Sequence, residues 1–382
     1  MEYRILGRTG LKVGAIALGC EGFADKTAEE VRADFDFAIR NGINFLDLYA
    51  SNPTLRSNIG AALAGRREKF VIQGHLCSVW EEGQYLRTRD PEKSLAAFED
   101  MLARLGTDYV EIGMIHYVDV EADLREVLDG PIMRLAQRLR SEGRIRHIGL
   151  SSHNPVVAHM AARTGLIDVL MFSVNPCYDL LPPSDDVDTL WADESYAREL
   201  HNIDPERQRL YEFCEREGVA IDVMKAYGGG DLLSGTNSPF GKPMTPVQCI
   251  EYALTRPGVA AVMAGCRSRT EIEAALAWCT ATAAQRDYTQ ALTGLGRFSW
   301  EGHCMYCGHC APCTAGIDIA SVNKYYNLTL AQDQVPETLR EQYTLLAHHA
   351  SECIACGRCQ SNCPFGVDIV GRMQLAAAKF GY

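Results

Sequence analysis

Eight of the fifteen cysteines lie in two tight groups in the last quarter of the chain. The groups are Cys304, Cys307, Cys310 and Cys313, and then Cys353, Cys356, Cys359 and Cys363. Thiolates at such short intervals can wrap around an iron–sulfur cubane within a single loop. The chemistry predicted for this stretch is therefore iron–sulfur binding, which commonly serves one-electron transfer.

The second group is followed at once by Pro364, which completes the spacing found in bacterial ferredoxins. In that arrangement three cysteines of a run bind one cluster and the fourth binds the other. We therefore predict two [4Fe-4S] clusters. One would be held by Cys304, Cys307, Cys310 and Cys363, and the other by Cys353, Cys356, Cys359 and Cys313.

Structural zinc and disulfides are the alternatives for these cysteines, and both fit less well. Zinc sites place C-x2-C pairs on either side of a longer spacer. Disulfides need an oxidising compartment, and Met1 to Gly10 has neither the apolar core nor the cleavage site of a signal peptide. We expect a cytoplasmic and anaerobic setting, since exposed cubanes are usually oxygen-sensitive.

The composition bounds the class of protein. A chain of 382 residues with 47% apolar content has room for one large globular domain and a small one. No apolar run approaches the ~20 residues of a membrane span. The net charge of -12 argues against nucleic acid and anionic membranes as partners.

Residues 1-295 alternate short β-rich apolar runs with amphipathic stretches, eight times over. The predicted strands are 15-18, 44-47, 70-74, 109-115, 145-150, 169-174, 220-224 and 259-263. Eight such units predict a (β/α)8 TIM barrel, followed over residues 296-382 by a small, mainly helical ferredoxin-like domain. An open doubly wound sheet is the alternative, but no G-x-G-x-x-G follows the first strand.

The active site of such a barrel lies at the carboxyl ends of its strands, where two long connections follow the third and sixth strands. Residues 75-89 contribute Trp80, Arg87 and Arg89, which are candidates for contacting substrate, the arginines through a carboxylate or phosphate. Residues 178-203 carry an acidic cluster. For both connections a solvated excursion is the alternative.

Several segments of the barrel region resemble motifs of the aldo/keto reductases: Tyr3–Val13, Gly42–Asp47, Met114–His116, Ile145–Ser151 and Gly265–Ser268. The whole chain is similar to the branch of that family that carries a C-terminal ferredoxin-like domain with eight cysteines. The resemblance implies a TIM barrel and NADPH-dependent carbonyl reduction by a tetrad of Asp, Tyr, Lys and His.

The chain departs from that tetrad at two of its four positions. Asp47 and His116 stand where the Asp and His are expected, but Asn52 replaces the Tyr and His75 replaces the Lys. Because an amide is no acid and a neutral imidazole carries no fixed charge, the usual proton relay is absent. Tyr49 would either stand in for the missing Tyr or pack the loop with its hydroxyl satisfied. His75 and His116 would serve acid–base chemistry or, as the weaker alternative, bind a metal.

The residues implied for the nicotinamide cofactor are partly replaced. The resemblance implies that Ser151 and Asn154 lie near the carboxamide of the nicotinamide. Ser173 takes the place of the Gln that the family usually has there. Met224 takes the place of the aromatic residue that stacks on the nicotinamide ring. Lys225 and a glycine run follow, and the adenosine phosphate would lie near Gly265, Arg267 and Ser268.

Taken together, these features predict an oxidoreductase that acts on a small polar molecule at the barrel mouth. Electrons would come through the clusters from a ferredoxin- or flavodoxin-like donor, or from NADP(H), or from both. The alternative is a lyase or isomerase that uses His75 and His116 as acid and base, with clusters that only stabilise the fold.

Overall fold

The structure is a computed structural model, which describes residues 1–330 and 335–382. Its strands are β1 (Tyr3–Ile5), β2 (Lys12–Gly14), β3 (Ile16–Gly19), β4 (Phe45–Leu48), β5 (Val71–Leu76), β6 (Ser78–Glu81), β7 (Gln84–Arg87), β8 (Val110–Ile115), β9 (Ile145–Ser152), β10 (Val169–Ser173), β11 (Leu200–His201), β12 (Ala220–Met224), β13 (Val259–Gly265) and β14 (Phe298–Ser299). A closed parallel barrel runs around the ring in the order β3, β4, β5, β8, β9, β10, β12 and β13, and β13 pairs again with β3.

The helices cover the barrel and form the C-terminal lobe. They are α1 (Ala28–Arg40), α2 (Pro53–Leu63), α3 (Pro91–Leu105), α4 (Glu121–Asp129), α5 (Pro131–Ser141), α6 (Pro155–Arg163), α7 (Pro205–Glu217), α8 (Pro246–Leu254), α9 (Arg269–Leu276), α10 (Ala283–Arg286), α11 (Thr289–Leu292), α12 (Ile319–Thr329), α13 (Glu337–Thr344), α14 (Arg358–Asn362) and α15 (Ile369–Phe380). In the described part of the chain, none of them is long and apolar enough to span a bilayer.

The predicted fold class is confirmed, and all eight predicted strands are barrel strands with ends shifted by one or two residues. Local sequence signals fix where several helices begin. Thr27 forms a capping box with Glu30, and Asp90 and Asp204 cap helices whose first residue is proline. The barrel core is apolar and nearly solvent-free, so the strand ends are fixed in space.

The sequence predicts a long loop for the connection after the third barrel strand. In the structure this connection contains the hairpin β6–β7. Its two-residue turn has positive φ at both Glu82 and Gly83, which is the type I′ geometry that suits the twist of a hairpin. The pairing sets Trp80 opposite Tyr85. Thr88 N then donates to Cys77 O, which closes the base of the hairpin over the mouth.

The C-terminal lobe is built from two similar halves. Gly316–Asp318 precedes α12, and Gly366–Asp368 precedes α15, at a spacing of 50 residues in the chain. In each half an aspartate, Asp318 or Asp368, caps the helix through its side chain. The two helices pack on each other, and Arg372 of α15 donates hydrogen bonds to two asparagines of α12.

The lobe packs on the outside of the helices that precede β12 and β13. Lys324 of α12 forms an ion pair with Glu215 of α7, and Arg256, just after α8, donates to the backbone of Met305 in the lobe. In the eight-membered ring, β12 and β13 lie across the barrel from β5 and β8. The lobe therefore lies on the side of the barrel opposite to His75 and His116, while the division at residues 295 and 296 stays a prediction.

Candidate active site and cluster sites

A hydrogen-bonded chain of three predicted site residues lies at the barrel mouth. Asp47, in β4, lies with its Oδ1 2.9 Å from Nε2 of His75, in β5. The Nδ1 of His75 lies 2.8 Å from the Nδ1 of His116, which directly follows β8. All three side chains are buried. Because neighbouring parallel strands end at one edge, the barrel brings together the two histidines and the carboxylate as the sequence predicted.

The contacts of this chain fix which nitrogen carries each proton. An ionised carboxylate only accepts, so Nε2 of His75 donates to Asp47, and the Nδ1 of neutral His75 accepts. Nδ1 of His116 must then be the donor between the rings. Burial, together with the neighbouring His75, holds the pKa of His116 well below its usual range, so His116 is neutral near pH 7.

Two buried polar residues that the sequence reasoning missed lie beneath this chain. The side-chain amide of Gln73 lies 2.9 Å from Asp47 and 2.9 Å from Asp222, so it bridges the two carboxylates. Burial and the nearby Asp47 raise the pKa of Asp222 far above its usual range, which favours its protonated form. A lone polar residue inside an apolar strand is the signal that could have revealed both.

Neither Asn52, at the position of the tetrad Tyr, nor Tyr49, its possible replacement, is hydrogen-bonded to the histidine pair. Asn52 is the N-cap of α2, where its side-chain oxygen accepts from Leu55 N at 3.0 Å. Tyr49 stacks on His116 with the rings 3° from parallel and 5.5 Å apart. Burial and a hydrogen bond to Glu21 raise the pKa of Tyr49. These contacts favour the packing alternative for Tyr49.

A second tyrosine, which the sequence analysis did not single out, contacts the histidine pair directly. The hydroxyl of Tyr85, on β7, lies 2.6 Å from Nε2 of His116. Its side chain is 37% exposed and thus reaches solvent at the mouth. The sequence signal was weak, since Gly83 between two β-rich runs suits a hairpin turn but Glu82 is not a residue favoured at its first position.

The other residues of this connection have different roles. Arg89 binds Asp123 through two nitrogens, at 2.7 and 2.6 Å, and donates to the backbone oxygens of His116 and Tyr117. Its donors are used to hold the segment after β8. Arg87 is more exposed and lies 4.9 Å from the ring of Tyr117, so it has donors left for a ligand. Trp80 is partly buried opposite Tyr85.

The first predicted cluster site is a preformed cavity. Cys304, Cys307, Cys310 and Cys363 line it together with apolar residues of both halves of the lobe. The backbone N–H groups of Tyr306 and His309 donate to the sulfurs of Cys304 and Cys307, as is usual around Fe–S clusters. This convergence of cysteines from both halves fits the crossed ligand set that we predict.

The second predicted set is also clustered, and it lies nearer the surface. Burial raises the pKa of Cys359, and the nearby Cys353 and Cys313 thiols raise it further. Cys356 is exposed and lies 3.8 Å from the hydroxyl of Thr314. Among residues 1–330 and 335–382, no three His, Cys, Asp or Glu side chains are close enough to hold a single metal ion.

A buried polar connection joins the first cluster loop to the barrel. Arg256 is only 2% exposed and donates to the backbone oxygen of Met305, one residue after Cys304. Tyr288 donates to the same oxygen at 2.7 Å. The guanidinium of Arg256 also lies 4.5 Å from the ring of Tyr252, a cation–π contact without solvent.

The connection continues to the end of β10. Tyr252 donates to Asp179 at 2.7 Å, and Arg207 lies 3.6 Å from the same carboxylate. Arg207 in turn donates to the backbone oxygen of Ser173 at 2.9 Å. Arg256, Tyr252, Asp179 and Arg207 are all buried, and we call them the arginine bridge. The bridge ends on the half of the mouth that faces β12.

Two stretches of the chain match models of known protein families. Residues 11–248, more than half of the chain, match the aldo/keto reductase family, and residues 303–368 match the 4Fe-4S dicluster domain. The chain belongs to the aldo/keto reductase family. The second match adds a 4Fe-4S dicluster domain to the barrel of that family.

Several reductases and dehydrogenases are similar to the barrel of this aldo/keto reductase. The uncharacterized oxidoreductase YqkF of Bacillus subtilis is 27% identical over 176 residues, 45% of this chain and 56% of that protein. L-galactose dehydrogenase of Arabidopsis thaliana is 28% identical over 202 residues, 48% and 61% of the two chains. L-glyceraldehyde 3-phosphate reductase of Escherichia coli is 30% identical over 165 residues, which are 41% of this chain and 46% of that protein. The chain thus spans about half the length of the curated relatives it matches.

Solved structures support the same fold. A holo aldo-keto reductase from Bacillus halodurans superposes with a TM-score of 0.58 at 23% identity, covering 77% of this chain and 96% of that one. A putative aldo-keto reductase from Pseudomonas aeruginosa gives a TM-score of 0.55 at 23% identity, covering 72% of this chain and 94% of that one. At this identity the likeness shows the barrel fold alone.

The carboxamide side of the expected nucleotide site of this reductase is already hydrogen-bonded. The side-chain amide of Asn154 donates to the backbone of Asp119 and to Asp185, both at 3.0 Å. The hydroxyl of Ser151 accepts from Tyr117 N at 2.7 Å. Ser173 is fully buried, and its hydroxyl has no partner. Both hydrogens of the amide that should hold a carboxamide are therefore in use.

The adenosine-phosphate side is open but carries a carboxylate. Gly265 has open space where a Cβ would point, and Arg267 is exposed. Ser268 caps α9, and Glu271 accepts from the backbone N–H of Arg267 at 2.6 Å. Lys225 lies 5.2 Å over the ring of Trp191, so it faces the acidic loop rather than this pocket. Because Glu271 occupies a donor that a phosphate would use, the residues fit NADP(H) poorly as they stand.

Proposed function

We propose that the barrel interconverts a small polar carbonyl compound and its alcohol, and that Asp47, His75 and His116 move the proton. The observation that carries the proposal is the buried chain of contacts at 2.9 and 2.8 Å between these side chains. Family membership supports an oxidoreductase. It does not favour the lyase or isomerase that the same histidine pair could serve.

The chain of imidazoles can store one proton and return it. When His75 is protonated, it pairs with the Asp47 carboxylate, and this ion pair stands where the family places a Lys beside its Asp. Release of that proton through His116 toward the mouth leaves both rings neutral, in the arrangement deduced above. His116 transmits the proton without keeping it, because its pKa is held low by burial.

The electron source must reach the mouth from the opposite side. Bound [4Fe-4S] clusters would supply single electrons to the protein. The lobe is separated from His75 and His116 by the barrel and one layer of helices, roughly 20–30 Å. We infer that electrons enter at the half of the mouth formed by β10, β12 and β13, where the arginine bridge ends. A ferredoxin- or flavodoxin-like donor would reduce the lobe.

NADP(H) is the second candidate for the electron source. The match to the family favours it, as do the exposed Arg267 and the open space at Gly265. The engaged side chains of Asn154 and Glu271 count against it. We therefore derive no step of the reaction through the nucleotide.

The mouth suits a small hydroxylated substrate. Arg87 is partly exposed on the hairpin whose Tyr85 contacts His116, and it could hold an anionic group of the ligand. Trp80 and Asn52 stay candidates for contacting substrate. Two similar proteins are named for sugar-like carbonyl chemistry, an L-galactose dehydrogenase and an L-glyceraldehyde 3-phosphate reductase. We therefore expect a short hydroxyaldehyde or hydroxyketone, with or without a phosphate.

The test uses the full chain purified without oxygen. Reduced protein is mixed with a panel of short hydroxyaldehydes, hydroxyketones and their phosphates, with dithionite or NADPH as reductant, and alcohol products are measured. We expect turnover that falls by about 10²–10⁴-fold in His116→Asn and in His75→Gln. His201→Gln, at an exposed position, is the control. Full activity in both variants would exclude the proposed proton path.

A titration separates the two electron sources. NADPH that binds tightly and quenches tryptophan fluorescence would support the second candidate. If no binding is detected at millimolar NADPH while dithionite supports turnover, the clusters are the source.

A further inference from the structure

The missing tetrad tyrosine leaves the proton chain without a group that reaches the substrate. The innermost members, Asp47 and His75, are almost completely buried, and His116 is 9% exposed. The next group outward is the hydroxyl of Tyr85, at 2.6 Å from His116 Nε2. It comes from the hairpin after β5, far in sequence from Asn52, where the family places its tyrosine.

We propose that Tyr85 is the catalytic acid and base of this reductase, the outermost member of a proton relay that runs through His116 and His75 to Asp47. The assignment rests on the proposed function and names the residue that exchanges the proton with the substrate oxygen. Three consecutive contacts of 2.6, 2.8 and 2.9 Å connect the exposed phenol to the buried carboxylate.

The direction of the hydrogen bonds follows from the inside outward. With His75 donating to Asp47 and His116 donating to His75, Nε2 of His116 holds a lone pair and accepts from Tyr85. In this state every hydrogen points toward Asp47. Tyr85 can then take a proton from a substrate alcohol while its own proton moves to His116, which passes one to His75. The result is His75 protonated beside Asp47.

The reverse sequence serves reduction. The substrate carbon receives a hydride equivalent, either directly from a hydride donor or as two electrons and a solvent proton. The carbonyl oxygen takes the phenolic proton as the O–H bond of Tyr85 breaks. His116 Nε2–H then reprotonates Tyr85, and His75 returns its proton to His116 Nδ1. One proton leaves the relay for each carbonyl reduced, and the rings end neutral.

The surroundings favour Tyr85 over Tyr49 for this role. Tyr49 stacks face to face on His116, and its hydroxyl is bonded to Glu21, away from the chain. Tyr85 instead meets the ring of His116 edge to face, at 89° between the planes. Burial raises the pKa of Tyr85, and Arg87, two residues away, offsets part of that rise. Of the two tyrosines, Tyr85 is therefore the better proton donor.

The experiment compares three tyrosine variants with His116→Asn in the full anaerobic protein. Tyr85→Phe should lower kcat by about 10²–10⁴-fold with KM nearly unchanged. Tyr117→Phe is the matched control, because its ring also contacts His116 but no hydrogen bond joins its hydroxyl to the relay. Near wild-type turnover in Tyr85→Phe overturns the assignment, as does a comparable loss in Tyr49→Phe alone. If His116→Asn is also fully active, the proposed function fails as well.

A second readout does not depend on turnover. In protein labelled with ¹⁵N-histidine and with oxidised clusters, His116 should show a protonated Nδ1 and a hydrogen-bonded, unprotonated Nε2. Tyr85→Phe should shift the Nε2 resonance toward that of a free imidazole nitrogen, and Tyr117→Phe should leave it in place. An Nε2 resonance that is the same in wild type and Tyr85→Phe would overturn the relay.

Discussion

The mouth of this barrel has two halves with different chemistry. On the β4, β5 and β8 side, the buried side chains are titratable groups in a continuous hydrogen-bonded chain from Asp47 to Tyr85. On the β10, β12 and β13 side, the corresponding feature is the arginine bridge, whose charges are fixed and which leads outward to the cysteine lobe. On the proposed function, one half moves protons and the other connects to the lobe that would supply electrons.

On the proposed function, the barrel replaces two residues of the tetrad and keeps a path for the proton. Here the proton side is rebuilt from His75 and the hairpin, while the nucleotide side is occupied by Asn154, Asp185 and Glu271. The changes on the two sides are consistent with a transfer of the electron supply to the lobe.

The largest expected effect concerns the cysteine lobe alone. Cys304→Ser and Cys363→Ser should each lower iron from about eight to about four atoms per chain, because both residues are assigned to one cubane. Iron analysis and electron paramagnetic resonance of the reduced protein measure this. Cys279→Ser, in a barrel residue outside both groups, is the control. Loss of different clusters in the two variants would contradict the crossed assignment.

The next effect tests whether the arginine bridge stabilises the packing of the lobe on the barrel. Arg256→Met should lower the free energy of unfolding by about 3–5 kcal/mol, since it removes a buried charge and leaves Asp179 less well compensated. Urea unfolding of the anaerobic protein measures the change. Arg256→Lys keeps the charge and should lose less. Equal stability of the Met variant and wild type would show that the bridge is energetically neutral.

A smaller effect belongs to the proton half and depends on pH. In the folded protein Asp222 keeps its proton far above pH 4, whereas the unfolded chain loses it near that pH. Folding therefore takes up a proton, and stability falls as pH rises through this window, by up to about 1.4 kcal/mol per pH unit. Asp222→Asn should remove that slope and be more stable than wild type at pH 7.

Urea unfolding at pH 6, 7 and 8 checks this sign. Asp25→Asn, at an exposed position, should follow the wild-type curve. If the stability gain of Asp222→Asn does not grow with pH, Asp222 is ionised in the folded protein.

The smallest expected effect is on NADPH binding, at the residues expected to lie near the adenosine phosphate. Glu271→Gln keeps the shape of the side chain on the N–H of Arg267 but removes its charge. An incoming phosphate would then be repelled less, and NADPH affinity should rise by about two- to fivefold. Isothermal titration measures it. If neither protein binds NADPH at millimolar concentration, the barrel has no nucleotide site for the change to improve.

The sequence was sufficient for the parts of the site that depend on local pattern. The eight apolar runs predicted the barrel, and the rule that functional residues follow strand ends pointed to Asp47, His75 and His116. The match of both histidines to neighbouring strands also predicted that their rings would meet, as they do at 2.8 Å.

Residues whose role depends on distant partners were not predictable in the same way. Tyr85 lies 31 positions from His116, and only the register of the hairpin brings its hydroxyl to that ring. Gln73 and Asp222 are 149 positions apart and meet inside the barrel. Arg89 was a candidate for binding an anionic group of the substrate, and in the structure it pairs with Asp123. Sequence indicates which side chains are chemically able, but not which neighbour each one finds.

The two halves of the lobe follow each other in the chain, yet on the proposed assignment each half supplies the fourth sulfur of the other's cubane. Neither half can then be a complete metal site when separated from its twin. Cleavage between α12 and α13 would leave two fragments with three cysteines for one cluster and a single orphaned sulfur for the other. Loading of either cluster should consequently require both halves of the lobe to be folded together, and a separated half should hold neither cluster.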